Sequence, residues 1–169
     1  KSIKNFLSRN FSEKIINTYN QLNPYAAKAD LARLCILYKL GGWYFDVGIE
    51  WIGGKEIVDN KTTLIAFRDI QKNSFSSWAC INAVIYSKPS NPILAYAIKR
   101  IVDNCERKFY GLNPLWPTSV VVFGEAIANS IIDDNIILGD FIETTPQYTF
   151  KNYSFLMPNG KIICRWKPN

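Results

Sequence analysis

Asp30 and Arg33 stand three residues apart in the run Ala29-Asp30-Leu31-Ala32-Arg33, and Asp46 closes the aromatic stretch Trp43-Tyr44-Phe45. On a helix, residues three apart are neighbours, so this carboxylate and guanidinium either meet as a pair or jointly face a ligand. Taken alone, the pair also fits an exposed ion pair of little energetic weight. Asp46 falls near the C-terminal end of a strand, which is where open α/β sheets bind ligands. Other chemistries have little support. The chain has no histidine, and its four cysteines, Cys35, Cys80, Cys105 and Cys164, are far apart with no CxxC pair, so neither a zinc site nor a redox motif is indicated.

The elements around these residues follow from local signals. Asn23 before Pro24 reads as a helix N-cap with proline in the first turn, and Gly41 and Gly42 supply the stop, which predicts a helix over 24–40. Leu31, Leu34, Cys35 and Tyr38 form its apolar stripe, and Asp30 and Arg33 share a different face. Trp43, Phe45, Val47 and Ile49 then alternate with Tyr44, Asp46, Gly48 and Glu50, the period of one strand over 43–50. The start of the chain, 1–22, reads as helix. Strands are expected at 63–67 and 78–86, followed by a helix capped by Asn91, opened by Pro92 and ending near 107. A proline-containing loop at 111–117 suits the edge of a site. A helix is expected at 125–133, and strands at 136–138, 141–143 and 148–153. Strands alternating with helices argue for an α/β layer fold.

Ala29 to Arg33, with Leu37-Tyr38-Lys39-Leu40-Gly41-Gly42-Trp43-Tyr44-Phe45-Asp46, resembles the sugar-binding region with a DXD motif of capsular-polysaccharide and initiating mannosyltransferases, and a similar run in the clostridial glucosylating toxins. Asn82-Ala83-Val84-Ile85 with Asn91-Pro92 is similar to the family's next block, and Phe123-Gly124-Glu125-Ala126 to its later Gly-containing helix start. The resemblance implies a GT-A-like (Rossmann-like) α/β fold, a nucleotide-diphosphate sugar donor and retention of configuration. By carry-over, Asp30, Arg33 and Asp46 are the catalytic set, and Tyr44, Gly42, Asn82 and Trp166 bind substrate. Asp30 then accepts hydrogen bonds from sugar hydroxyls, and Tyr44 lies near the nucleoside. Arg33 serves the leaving phosphate or holds a hydroxyl. For Trp166, core packing is the favoured competing reading, because Ile163-Cys164-Arg165-Trp166 lacks the residues that accompany the donor-stacking tryptophan of some relatives.

The resemblance also implies Mn2+ or Mg2+, yet the motif reads Asp46-Val47-Gly48, without its second carboxylate. Asp46 with Glu50, two residues beyond Gly48, is the expected metal set. A hard divalent cation wants several oxygen ligands, and a donor phosphate and water supply the remainder.

With 169 residues and 48% hydrophobic content, the chain can bury one substantial core, which predicts a single domain over 1–169. The family's enzymes open with a strand-helix-strand unit for the nucleotide, so the expectation is a domain lacking that N-terminal portion. The net charge of +6 does not by itself choose among anionic partners, and the spread of basic residues matches no nucleic-acid motif. Lys99, Arg100, Arg107 and Lys108 read as a solvated helix face. No apolar run reaches membrane-span length, so the expected location is the cytoplasm, with peripheral association at the inner membrane face as an extension. The reading is a hexosyltransferase acting on a glycan acceptor in bacterial surface-polysaccharide synthesis. Its rivals are a domain that binds nucleotide-sugar or glycan without turnover, and an effector that glycosylates host protein.

Overall fold

The computed structural model describes residues 2–54, 57–70, 76–113, 116–130, 135–144 and 152–166. Parts of the expected strand at 148–153 and of the expected helix at 125–133 lie outside these residues.

The chain opens with two short helices, α1 (Ile3–Asn10) and α2 (Glu13–Gln21), as the helical reading of the start predicts. The long helix α3 (Tyr25–Leu40) follows. Pro24, extended at ψ 134°, occupies its cap position and no side chain caps it, so Asn23 is not the cap expected from its type. Leu31, Leu34 and Leu37 are buried on α3, each contributing about 1.5–3 kcal/mol of apolar burial. Later helices are α4 (Pro92–Glu106), whose Asn91 side chain accepts from the Ile93 N–H as expected of a cap, and α5 (Val120–Ala128).

Helix α5 begins five residues before the expected Glu125 start. Val120-Val121-Val122 disguises it, because β-branched residues favour strands in isolation; here they are buried, and tertiary packing overrides propensity. Gly124 therefore sits inside the helix. A Cβ there would lie 1.9 Å from the Trp78 carbonyl oxygen, so only glycine lets the helix backbone rest on the segment leading into the sheet.

Among the described residues, seven strands form one mixed sheet: β1 (Gly42–Phe45), β2 (Ile49–Trp51), β3 (Leu64–Asp69), β4 (Cys80–Ser87), β5 (Ile136–Glu143), β6 (Tyr153–Leu156) and β7 (Ile162–Trp166). The order is β1-β4-β3-β5-β6-β7-β2. Only β3 and β5 pair in parallel. The two short strands expected at 136–138 and 141–143 are one continuous strand, β5.

The expected single strand over 43–50 is two strands at opposite edges of the sheet, joined by Asp46-Val47-Gly48. Gly48 has φ +90°, a conformation that breaks a strand and that side-chain-bearing residues avoid, and the Ile49 N–H bonds back to the Asp46 carbonyl at 3.2 Å. A three-residue link between the edges requires the sheet to curl until they meet. The rings of Trp43 and Trp51 touch across that seam, with centroids 5.1 Å apart.

Strand alternation divides the core in two. Leu64, Ala66 and Ile85 face the helices and pack with Leu31, Leu34, Leu94 and Phe123. Ile65, Phe67 and Val84 point into the curl with Phe141, Phe155 and Ile163.

Candidate functional site

Asp30 and Arg33 lie on the side of α3 that turns into the protein, and both are buried, with 5% and 6% of their surface exposed. They are not the surface ion pair that spacing alone permits. Strand β1 brings Tyr44 onto the same side, because Trp43 on its other face packs into the curl. Asp46 follows directly, and its N–H donates to the Ala83 carbonyl at 2.8 Å, tying the end of β1 to β4. Asn82, on β4, completes the group.

Arg33 organises these residues. Its Nη1 donates to the Asn82 carbonyl at 2.7 Å and pairs with Asp46 Oδ1 at 3.0 Å. Its Nη2 pairs with Asp30 Oδ1 at 3.3 Å, its Nε donates to the Ala29 carbonyl, and its plane lies over the Tyr44 ring at 4.6 Å. A guanidinium engaged on every side and nearly closed to solvent fixes the groups around it.

The two carboxylates are held differently. Asp30 Oδ1 also accepts from Asn82 Nδ2 at 2.9 Å, and Oδ2 accepts from the Thr118 hydroxyl at 2.9 Å. Burial raises the Asp30 pKa above the ordinary carboxylate value, against the opposing pull of Arg33, Thr118 and Asn82. Asp46 Oδ1 accepts from the Tyr44 hydroxyl at 2.6 Å, while Oδ2 has no protein partner among the described residues and the side chain is 30% exposed. Burial, then the bond donated to Asp46, pushes the Tyr44 phenol above its ordinary pKa. Asp30 is thus an anchor. Asp46 is the carboxylate with one oxygen left unclaimed among the described residues.

Two members of the network carried no signal in the sequence. Thr118 and the buried Ser119, whose hydroxyl donates to Asn82 Oδ1 at 3.4 Å, precede α5 and were indistinguishable from ordinary loop residues. Their nearest sequence hint was the loop at 111–117.

The other expected site residues lie elsewhere. Gly42 opens β1 opposite Ser87, at the far end of the strand from Asp46. Trp166 ends β7 and packs in the curl, its ring centroid 5.8 Å from Tyr153 and 6.2 Å from Phe141, which is the core role that competed with donor stacking. Glu50 sits on β2, opposite Arg165 of β7, and not on the strand of Asp46, so the expected Asp46–Glu50 metal pair loses its common strand face. The described residues include no group of three side chains fit to hold a metal. One oxygen of Asp46, with Gly48 in place of the second carboxylate, is a poor donor set for a divalent cation.

Residues 1–62, which contain Asp30, Arg33, Tyr44 and Asp46, match the family model described as glycosyltransferase sugar-binding region containing DXD motif. This N-terminal part of the chain is similar to the sugar-binding region of that family. The chain is 34% identical over 100 residues to a protein named as an uncharacterized glycosyltransferase of Acanthamoeba polyphaga mimivirus, a match that covers 59% of this chain and 38% of that protein. Among solved structures it is similar to PaToxG glycosyltransferase, with a TM-score of 0.61 and 24% identity over 78% of this chain and 46% of the other. The fold is therefore a GT-A-like α/β architecture, and the chain spans less than half the length of either relative.

Proposed function

We propose that this chain is the donor-sugar-binding core of a retaining glycosyltransferase that moves a hexose from a nucleoside-diphosphate sugar to a glycan acceptor. The observation that carries the reading is the presentation of Asp46 Oδ2, which has no protein partner among the described residues, at the rim of a network that fixes Asp46 through Tyr44 and Arg33. Asp30, Asp46 and Arg33 sum to one negative charge. A site of that sign suits hydroxyl groups, which donate to carboxylates, better than it suits a diphosphate. It therefore addresses the hexose or ribose hydroxyls of the donor. Positive charge grows at the anomeric carbon during transfer, and a fixed carboxylate close by stabilises it without reorganisation.

In this reading Arg33 keeps Asp46 and Asp30 in place, and Asn82, Thr118 and Ser119 keep Arg33 and Asp30 in place. The acceptor is a glycan of the class used in bacterial surface-polysaccharide assembly, and the protein works in the cytoplasm. Transfer from a labelled nucleoside-diphosphate hexose, with the product's anomeric configuration read by NMR, tests the proposal. Asp46→Asn abolishes transfer if the reading is right, and transfer at the wild-type rate in that variant refutes it.

One observation favours a second reading, a domain that binds the donor without turning it over: glycine stands at position 48 where the motif has its second carboxylate. That reading predicts donor binding with no transfer or hydrolysis.

A further inference from the structure

A cleft of about 750 Å3 opens beside the Asp30 network, between the N-terminal half of α3, the C-terminal half of α4 and the loop that follows α4. It lies within the size range of small-molecule sites. Thr118 lines this cleft, and the same Thr118 hydroxyl donates to Asp30 Oδ2 at 2.9 Å, so the cleft and the carboxylate are separated by one side chain. Ala27, one helical turn before Asp30, lines it as well.

The lining has a definite chemistry. Tyr110 and Leu112 on the rim are 75% and 86% exposed, and Phe109 is 43% exposed, which sets aromatic and alkyl faces toward solvent. The amides of Gln21, Asn23 and Asn104 add polar groups, with Asn104 Nδ2 donating to the Pro117 carbonyl at 3.0 Å and Gln21 Oε1 accepting from the Cys105 thiol at 3.4 Å, and Lys108 is the only charged residue among the described lining residues. With no carboxylate among its described lining residues the cleft does not suit a cation, and one lysine is too little for a nucleoside diphosphate. A sugar ring has apolar C–H faces and a hydroxyl edge that both donates and accepts. Aromatic faces beside amide groups meet both parts.

We infer that this cleft is the subsite for a neutral saccharide acceptor, positioned so that its occupant reaches the network through Thr118. The inference rests on the reading of Asp30 and Asp46 as the donor-sugar site.

Cys105 gives a readout that does not depend on the donor. It lines the cleft and is partly exposed, whereas Cys35, Cys80 and Cys164 are buried. The rate of Cys105 alkylation by N-ethylmaleimide is measured by mass spectrometry on the full chain, with maltotriose, cellotriose and mannotriose in turn. At least one of them slows alkylation several-fold, and Tyr110→Ala and Leu112→Ala, both at exposed positions, lose that protection while their melting temperatures stay at the wild-type value. Unchanged alkylation with all three saccharides overturns the subsite, and so does protection that survives in both variants. Failure of the donor reading shows separately, as the absence of any thermal shift with uridine- and guanosine-diphosphate hexoses, and leaves the protection result standing.

Discussion

Replacing Arg33 by methionine should be among the most costly single changes in this protein. The guanidinium is 7% exposed and contacts Asp30 at 3.3 Å, where the carboxylate side chain is 8% exposed, and Asp46 at 3.0 Å. It also donates to the Asn82 and Ala29 carbonyls. Removing one partner of a buried ion pair leaves the other charge uncompensated and costs about 3–5 kcal/mol. A whole domain is stable by roughly 5–15 kcal/mol, so the variant should be marginal. With a urea slope of about 2 kcal/mol/M, the unfolding midpoint falls by about 2 M. Asp30→Asn in the same chain removes one stranded charge, so the double variant should be more stable than the sum of the single effects by about 1–3 kcal/mol. Urea unfolding of the four proteins of this cycle, followed by tryptophan fluorescence, measures both quantities. A loss below about 1 kcal/mol in Arg33→Met, the size expected of an exposed pair, would refute the claim that the Asp30–Arg33 pair is closed to water.

Three further outcomes follow from named groups. Burial raises the Asp30 pKa, so over that window the folded state holds more protons than the unfolded one and stability falls as pH rises from the ordinary aspartate value through the raised one; Asp30→Asn removes this component, as urea midpoints across that range will show. Burial pushes the thiols of Cys35, Cys80 and Cys164 up to about 12, so in the native protein at mildly alkaline pH a thiol reagent should modify Cys105 first and the others only on unfolding. Gly48→Asp restores the second carboxylate at a residue with φ +90°, so it should cost about 1 kcal/mol of stability while raising Mn2+ affinity measured by calorimetry; unchanged affinity would show that this turn is not where a metal binds.

What the sequence made legible was the unit with the most local signals. The α3 stripe, the Gly41-Gly42 stop, the Asn91-Pro92 helix start and the aromatic strand before Asp46 each rest on short-range rules, and all appear in the structure. The break after Asp46 was not legible, because perfect apolar alternation continued through Val47 and Ile49 while the glycine conformation that interrupts it leaves no mark on the pattern. Val47 is in fact 98% exposed. Thr118 and Ser119 escaped for a different reason. Their importance lies wholly in contacts across 88 and 37 residues of chain, to Asp30 and Asn82, and nothing local distinguishes them. The burial of the Asp30–Arg33 pair is likewise a tertiary fact: spacing set their shared face, and the packing of β4 and the segment before α5 closed it.

The measurement that bears most directly on the central claim is isothermal titration of the full chain with uridine- and guanosine-diphosphate hexoses, repeated with the matching free nucleoside diphosphates and with the Asp46→Asn variant. If the network reads the donor's hydroxyls, one nucleotide sugar binds, and Asp46→Asn weakens it at least about tenfold, the loss of roughly 1.4 kcal/mol expected when a charged acceptor is neutralised. Equal affinity of wild type and Asp46→Asn for every nucleotide sugar would contradict the account.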